Sequence, residues 1–163
     1  METKLSEDGL YINENELKDR FTRKHMLERY KDVRGFSKVL SGPLEKEDYV
    51  VQSMPDVSPT KWHLAHTSWF FETFVLAKAL QDYASPNEQY AYLFNSYYVQ
   101  AGERHHRPKR GLISRPTVDE TFEYRKHIDK SMEKFINDID DARWEEFATV
   151  VEIGIHHEQQ HQE

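Results

Sequence analysis

The chain has 163 residues with a formal net charge of -7, and 37% of its residues are hydrophobic. This length and composition indicate one globular domain with a core of its own, and they exclude a disordered protein. The acidic balance argues against a general nucleic-acid binder, whose surface would be basic. Because the sequence has no cysteine, any metal ligands must be histidines or carboxylates, and disulfides and a cysteine nucleophile are excluded.

No targeting pattern opens the sequence. Residues 1–4 (METK) are not followed by the basic and apolar regions of a signal peptide. No uncharged run approaches the roughly 20 residues that a bilayer-spanning helix needs. With the absence of cysteine, this pattern favours a cytoplasmic protein without membrane or nucleic-acid partners. The sequence leaves the oligomeric state open, a homodimer included.

Segments with helical periodicity dominate and strand-like alternation is scarce, so the sequence predicts an all-α fold. After a polar tail over residues 1–14, apolar residues at three- and four-residue steps predict a first long helix from about Asn15 to Leu40. Gly42 and Pro43 then form a helix stop. Its core-facing positions are expected to be Leu17, Phe21, Met26 or Lys24, Tyr30 or Val33, and Phe36.

The middle of the chain predicts one long helix between shorter elements. A short helix is expected over residues 45–52, and Ser58-Pro59 then offers an N-cap and a first-turn proline for a second long helix to about Asp82. This helix is apolar nearly all round, so it should be the most buried element. An aromatic helix is expected over residues 88–101. Two prolines and five Lys or Arg side chains favour a loop over residues 102–116.

Two further long helices complete the prediction. The third runs from near Thr117 to about Ile139, and the fourth runs from about Ala142 to the end of the chain. Four long amphipathic helices with one extended crossover predict a four-helix bundle. Such bundles commonly build metal sites from side chains on facing helices.

The fourth helix carries His157 and His161, four residues apart. This spacing places both imidazoles on one helix face, close enough to bind one metal ion. The same face continues backward as an apolar stripe, so both side chains are expected to point into the core. The alternative is that they are core histidines bonded to backbone or carboxylate groups. The stripe comprises Gly154, Val150 or Val151, Phe147 and Trp144.

The second helix adds His63 and His66, three residues apart. An unpaired polar group on a buried helix would cost about 1 to 3 kcal/mol, so one of them needs a partner. A backbone carbonyl, or packing between Trp62 and Phe70, would satisfy either residue alone. Together with the inward pair on the fourth helix, a three-histidine site becomes the better interpretation. Such a site leaves positions for substrate and dioxygen and suits Fe(II), although imidazoles also accept zinc.

Five segments strongly resemble, in order and separation, the N-terminal DinB-like domain of the ergothioneine-biosynthesis sulfoxide synthases. The resemblance implies a DinB-like four-helix bundle over residues 15–163, preceded by a flexible tail. It also implies a mononuclear non-haem iron held by His66, His157 and His161. His63 and His156 are then expected to support the ligands from behind or to be packing residues, and Glu163 is expected to orient a ligand imidazole. The segments are 58–66 (SPTKWHLAH), 69–74 (WFFETF), 93–98 (LFNSYY), 107–117 (RPKRGLISRPT) and 157–163 (HEQQHQE).

The resemblance further implies an oxidoreductase that uses dioxygen to join a thiol to trimethylhistidine (hercynine) as a sulfoxide. The thiol donor would be cysteine or γ-glutamylcysteine. Tyr97 and Tyr98 are implied to line the active site, where a phenol can supply a proton. Arg104 and Arg107 are implied to bind the carboxylate of the sulfur donor. The alternatives are core packing for the tyrosines, and a solvated or docking surface for the basic loop.

The enzymes of this family continue into a second domain of the formylglycine-generating-enzyme type, whereas this sequence stops at Glu163 inside the predicted fourth helix. We therefore expect the 163-residue chain to bind metal without turning over substrate. Two other functions stay open: a stand-alone thiol transferase or hydrolase with zinc or nickel on the same histidines, and a metal-free helical interaction module. The basic loop and the tyrosine pair favour the sulfoxide synthase, because a generic thiol transferase needs neither.

Overall fold

A computed structural model describes residues 21–96 and 102–163, and these residues form helices and no strand. The all-α prediction is therefore confirmed. Within the described ranges, no helix is long and apolar enough to cross a bilayer. The helices are α1 (Arg23–Ser41), α2 (Thr60–Phe71), α3 (Tyr90–Phe94), α4 (Val118–Asp138) and α5 (Asp141–Gln162). Helix α2 continues through a π-helical segment (Glu72–Leu76) into a last turn (Ala77–Ala79).

Helices α1 and α5 run in the same direction. Near the start of α1, Arg23 donates a hydrogen bond to Asp141, the first residue of α5, at 2.8 Å. At the end of α5, the Gln162 side chain donates to the carbonyl of Val33, in the middle of α1, at 2.8 Å and to the Ser37 hydroxyl, one turn further on, at 2.9 Å. The two helices therefore lie side by side.

Helices α2 and α4 run opposite to this pair. The start of α2 meets the end of α5, where His63 contacts His161. Lys61, also at the start of α2, donates at 2.8 Å to the carbonyl of Pro116, just before α4 begins. The result is an up-down-down-up bundle, so the chain must return along the bundle between α2 and α4. That crossover is the extended connection that the sequence predicts.

Side-chain caps fix where three of the helices begin. Thr117 and Glu120 form a reciprocal capping box at α4, and Asp140 caps α5. Thr22 caps α1, so this helix begins at Arg23 and not near Asn15. The prediction that Phe21 and Thr22 belong to this helix is wrong, because neither residue is helical. The predicted tail over residues 1–14 lies outside the described residues.

The shorter elements differ from the sequence prediction. Within residues 45–52, only Asp48–Val50 is helical, as a single 3-10 turn. The basic segment expected as a loop contains a 3-10 helix over Arg107–Leu112. Gln52 holds this helix at both ends, since its amide donates to the Arg107 carbonyl at 2.8 Å and accepts from the Gly111 N–H at 2.6 Å. A tertiary contact of this kind is not visible in local periodicity.

The buried face of α1 is partly polar. Met26 and Tyr30 are buried as predicted, but Phe36 is 50% exposed, so its assignment to the core is wrong. Arg34 and Ser37 occupy the inward positions instead. Their partners are charged and polar groups on other helices, and hydrophobic periodicity cannot detect these. On α5, by contrast, the predicted stripe is buried, with Val150 partly so.

Candidate metal centre

His66, His157 and His161 meet where the start of α2 packs against the end of α5. The Nε2 atom of His157 lies 3.2 Å from that of His66 and 3.2 Å from that of His161. One ligand nitrogen from each of the three residues lies within 4.8 Å of the other two. Imidazole nitrogens bind a metal at about 2.0 to 2.1 Å, so neighbouring ligands at right angles stand about 3 Å apart. The two separations of 3.2 Å match neighbouring ligands of one shared ion.

The second ring nitrogens of two of these histidines are held by neighbours. Nδ1 of His66 lies 2.6 Å from the carbonyl of Phe94, and a carbonyl can only accept, so this nitrogen carries the proton. The Nε2 lone pair of His66 is then available to a metal. Nδ1 of His161 lies 2.7 Å from Nδ1 of His63. Nδ1 of His157 is buried and has no hydrogen-bond partner among the described residues.

Burial keeps these imidazoles neutral. Loss of solvation is the largest cause that lowers the pKa of His157 to about 4, and the pKa of His66 falls well below its usual value for the same reason. Burial first, and then the neighbouring imidazoles, lower the pKa values of His161 and His63 to about 4. Neutral imidazole is the form that binds metals, so the site is ready for a cation at neutral pH.

Aromatic rings restrict the orientation of His66. Its imidazole stacks on Trp62 at a centroid distance of 4.4 Å and on Trp69 at 5.6 Å, with interplanar angles of 18° and 17°. On the facing helix, the His157 ring lies 4.9 Å from the ring of Phe70. These contacts hold the imidazoles in place before a metal binds, and so lower the ordering cost of binding.

A cavity of about 540 Å³ opens over the three histidines, and Arg107 and Arg110 form part of its wall. Arg110 is only 3% exposed, and its guanidinium lies 3.5 Å from the centre of the Trp62 ring. It donates to the hydroxyls of Ser58 at 2.8 Å and Ser96 at 3.4 Å. Burial, and then the nearby cations Arg107 and Arg104, lower its pKa to about 10. An anion in the cavity would offset this repulsion.

The other residues that the sequence analysis assigned to the active site do not all lie at the histidine cluster. Arg104 donates to the Ser96 carbonyl and lines a neighbouring cavity of about 320 Å³, which it shares with Arg107. Glu163 is exposed at the end of α5. Tyr97 and Tyr98 lie outside the described residues. Arg110 was missed by the sequence analysis, although its three-residue spacing from Arg107 would have placed both on one side of a 3-10 helix.

A family model described as the DinB superfamily matches residues 34–163. The match covers most of the chain and includes all three histidines of the cluster. No curated protein matches the sequence.

Proposed function

Because the chain belongs to the DinB superfamily, we propose that it is the iron-binding domain of a trimethylhistidine sulfoxide synthase of ergothioneine biosynthesis. The observation that carries this proposal is the pairing of a three-histidine site with buried arginine in one cavity. The segments that resemble the sulfoxide synthases contribute all three histidines and both Arg107 and Arg110.

The proposed reaction joins a thiol sulfur to an imidazole carbon. One oxygen atom of dioxygen stays on sulfur as the sulfoxide, and the other leaves as water with the hydrogens of the S–H and C–H bonds. Fe(II) held by His66, His157 and His161 would supply open coordination positions for the thiol and dioxygen. The protein contributes three neutral imidazoles from α2 and α5, which leaves the remaining coordination positions to the substrates.

Arg107 and Arg110 are proposed to bind the carboxylates of the sulfur donor. Both cysteine and γ-glutamylcysteine carry carboxylates, and charged hydrogen bonds from guanidinium are the strong ones. Arg110 stays protonated at neutral pH even with a pKa of about 10. Arg104 is proposed to add positive charge from the adjoining cavity. Tyr97 and Tyr98 remain the predicted phenols of the site.

The alternatives explain fewer of these features. A zinc- or nickel-dependent thiol transferase would use the same three histidines, but it gives no reason for a buried arginine beside them. A metal-free interaction module gives no reason for three neutral imidazoles in which His157 Nε2 lies 3.2 Å from the Nε2 atoms of both His66 and His161. The sulfoxide synthase accounts for both the ligands and the basic wall.

Cobalt(II) binding offers a test that needs no turnover. Cobalt in the histidine site should show a thiolate charge-transfer band when cysteine is added anaerobically. Cysteamine lacks the carboxylate, so we expect it to bind about tenfold more weakly, the factor that one charged hydrogen bond represents. Arg110→Met should reduce this difference, and Arg107 accounts for what remains. Lys109→Met is the matched control, because Lys109 is an exposed cation in the same 3-10 helix.

Two outcomes would count against the proposal. Equal affinity for cysteine and cysteamine in the parent protein would contradict the role of the arginines. Absence of a thiolate band with any thiol would contradict a sulfur substrate at the metal. Sulfoxide formed from trimethylhistidine, cysteine and dioxygen, identified by mass spectrometry, is the expected product when the chain is joined to a formylglycine-generating-enzyme-like domain.

A further inference from the structure

Glu158 follows a proposed metal ligand in the sequence but points into the bundle. Its side chain is 1% exposed. One carboxylate oxygen accepts a hydrogen bond from the Ser37 hydroxyl at 2.5 Å and another from Arg125. The other oxygen accepts from Arg34 at 3.0 Å. The part of α5 between His157 and His161 is therefore tied to α1 and α4.

Both arginines also reach α2 directly after His66. Arg125 donates to the Thr67 hydroxyl at 3.2 Å, and Arg34 donates to the Ser68 hydroxyl at 3.0 Å. Each guanidinium thus connects the carboxylate of Glu158 on α5 with a hydroxyl on α2. The two bridges lie at the level where the ligand-bearing helices must be aligned.

The network is balanced in charge and joins all four long helices. Arg34 also donates to Asp129 on α4 at 2.6 Å, so two buried cations face two carboxylates, and the exposed Lys38 lies 4.0 Å from Asp129. Buried ion pairs of this kind add little net stability, and apolar replacements are often neutral or stabilising. Their hydrogen bonds, in contrast, are directional, so they favour the helix rotations at which donors and acceptors align. Specificity of geometry is therefore the better reason for this network.

We propose that Arg34, Arg125 and Glu158 are positioning residues of the metal centre. They fix the rotation of α5 and its height against α2, so that the three Nε2 atoms converge. None of them belongs to the three-histidine cluster or lines the cavity over it. The inference rests on the metal centre of the proposed function but not on the reaction or on the natural metal.

Glu158→Gln tests this inference against a matched control on the same helix. Glu152 is 8% exposed and pairs with Arg29 of α1 at 2.9 Å, so Glu152→Gln makes the same change at a buried carboxylate about a turn and a half away. A group that bonds a ligand histidine directly typically contributes 10- to 100-fold to metal affinity, and Glu158 acts one step further out, through the helix, so the low end of that range applies. We expect Glu158→Gln to weaken cobalt(II) binding by about tenfold and to shift the d–d absorption bands. Glu152→Gln should change neither.

A second variant removes only the bridges to α2. Thr67→Val combined with Ser68→Ala keeps every charge paired, so it tests the inference even where Glu158→Gln does not fold. We expect severalfold weaker cobalt binding and altered d–d bands, measured by competition with a chelator. A parent protein that binds no cobalt would overturn the metal centre and this inference together. A parent that binds, with variants that match the Glu152→Gln control, would overturn the positioning role alone.

Discussion

The two ends of the bundle are held together by different chemistry. Where α2 starts and α5 ends, the helices meet through histidines, hydroxyls and buried ion pairs. At the opposite end, α4 and α5 meet through aromatic rings, with Phe135 centred 6.1 Å from Phe147 and 6.5 Å from Trp144. Apolar burial stabilises a fold in proportion to area, whereas buried charges must first offset their desolvation. Stability and site geometry should therefore respond to different mutations.

The largest expected effect is at the polar end. His66→Ala and His157→Ala should each abolish stoichiometric metal binding, because two imidazoles rarely hold a metal that three were placed to bind. Metal analysis after gel filtration measures the loss, and far-UV circular dichroism controls for retained helix. Full stoichiometry in both variants would show that the metal binds elsewhere.

The apolar end should show the reverse pattern. Phe135→Ala removes a buried ring and should lower the free energy of unfolding by about 3 to 5 kcal/mol while cobalt affinity stays unchanged. Phe36→Ala is the matched control, because Phe36 is half exposed and should cost less than about 1 kcal/mol. Urea denaturation of the metal-free protein compares the two. Similar losses would contradict the apolar core described for this end.

Gly154 lies between the two ends of the bundle, and its replacement should lower both the stability of the fold and the affinity for metal. A Cβ there would clash with the Phe71 ring and lie 2.9 Å from Phe70, and Phe71 is fully buried. Gly154→Ala should therefore cost about 1 to 3 kcal/mol through overpacking. Because it separates α5 from α2, it should also weaken cobalt binding.

Gly35→Ala controls for the substitution itself. Nothing lies within 4 Å of a Cβ at Gly35 in α1, so alanine there should stabilise the helix by about 0.5 to 1 kcal/mol. Denaturation curves and cobalt titrations that look alike for the two alanine variants would rule out the close approach of α2 and α5.

The last prediction concerns how the stability of the metal-free protein depends on pH. Histidine has a pKa of about 6.5 in the unfolded chain, whereas burial lowers the pKa of His157 in the folded protein to about 4. The unfolded state therefore gains more protons between these values, and the metal-free protein should lose stability as pH falls through this window. His157→Ala should reduce the slope by at most about 1.4 kcal/mol per pH unit. Urea midpoints at pH 7 and pH 5 measure it, and equal slopes in parent and variant would contradict the shift.

Sequence patterns succeeded where buried residues are apolar and failed where they are polar. The stripe on α5 was predicted because its inward residues are mostly hydrophobic. On α1 the inward residues include Arg34 and Ser37, so the periodicity pointed wrongly to Phe36. The partners that make this polar face favourable lie on α2, α4 and α5, and no local window of sequence contains them.

The candidate site, too, could be predicted only in part from local sequence. Spacing was enough to nominate His157 and His161, because i, i+4 geometry holds for any helix. It left His63 and His66 as alternatives for the third ligand, and only the resemblance to the sulfoxide synthases favoured His66. The alignment of α2 with α5, which brings the nitrogens to 3.2 Å, depends on tertiary contacts. Arg110 escaped notice because its segment was read as a loop, whereas the side chain of Gln52, from a distant part of the chain, holds it in a 3-10 helix.

Arg110 and His66 both stack on Trp62, so the fluorescence of this tryptophan should respond to what binds in the cavity. The indole of Trp62 lies between a guanidinium and a candidate metal ligand, so both an anion and a cation arriving in the cavity change its electrostatic surroundings. Trp69 also stacks on His66, whereas Trp144 packs against Phe135 at the far end of the bundle, so Trp144→Phe would remove the emission that does not respond. Occupancy of the cavity can thus be followed by intrinsic fluorescence, without a label and before any chemistry occurs.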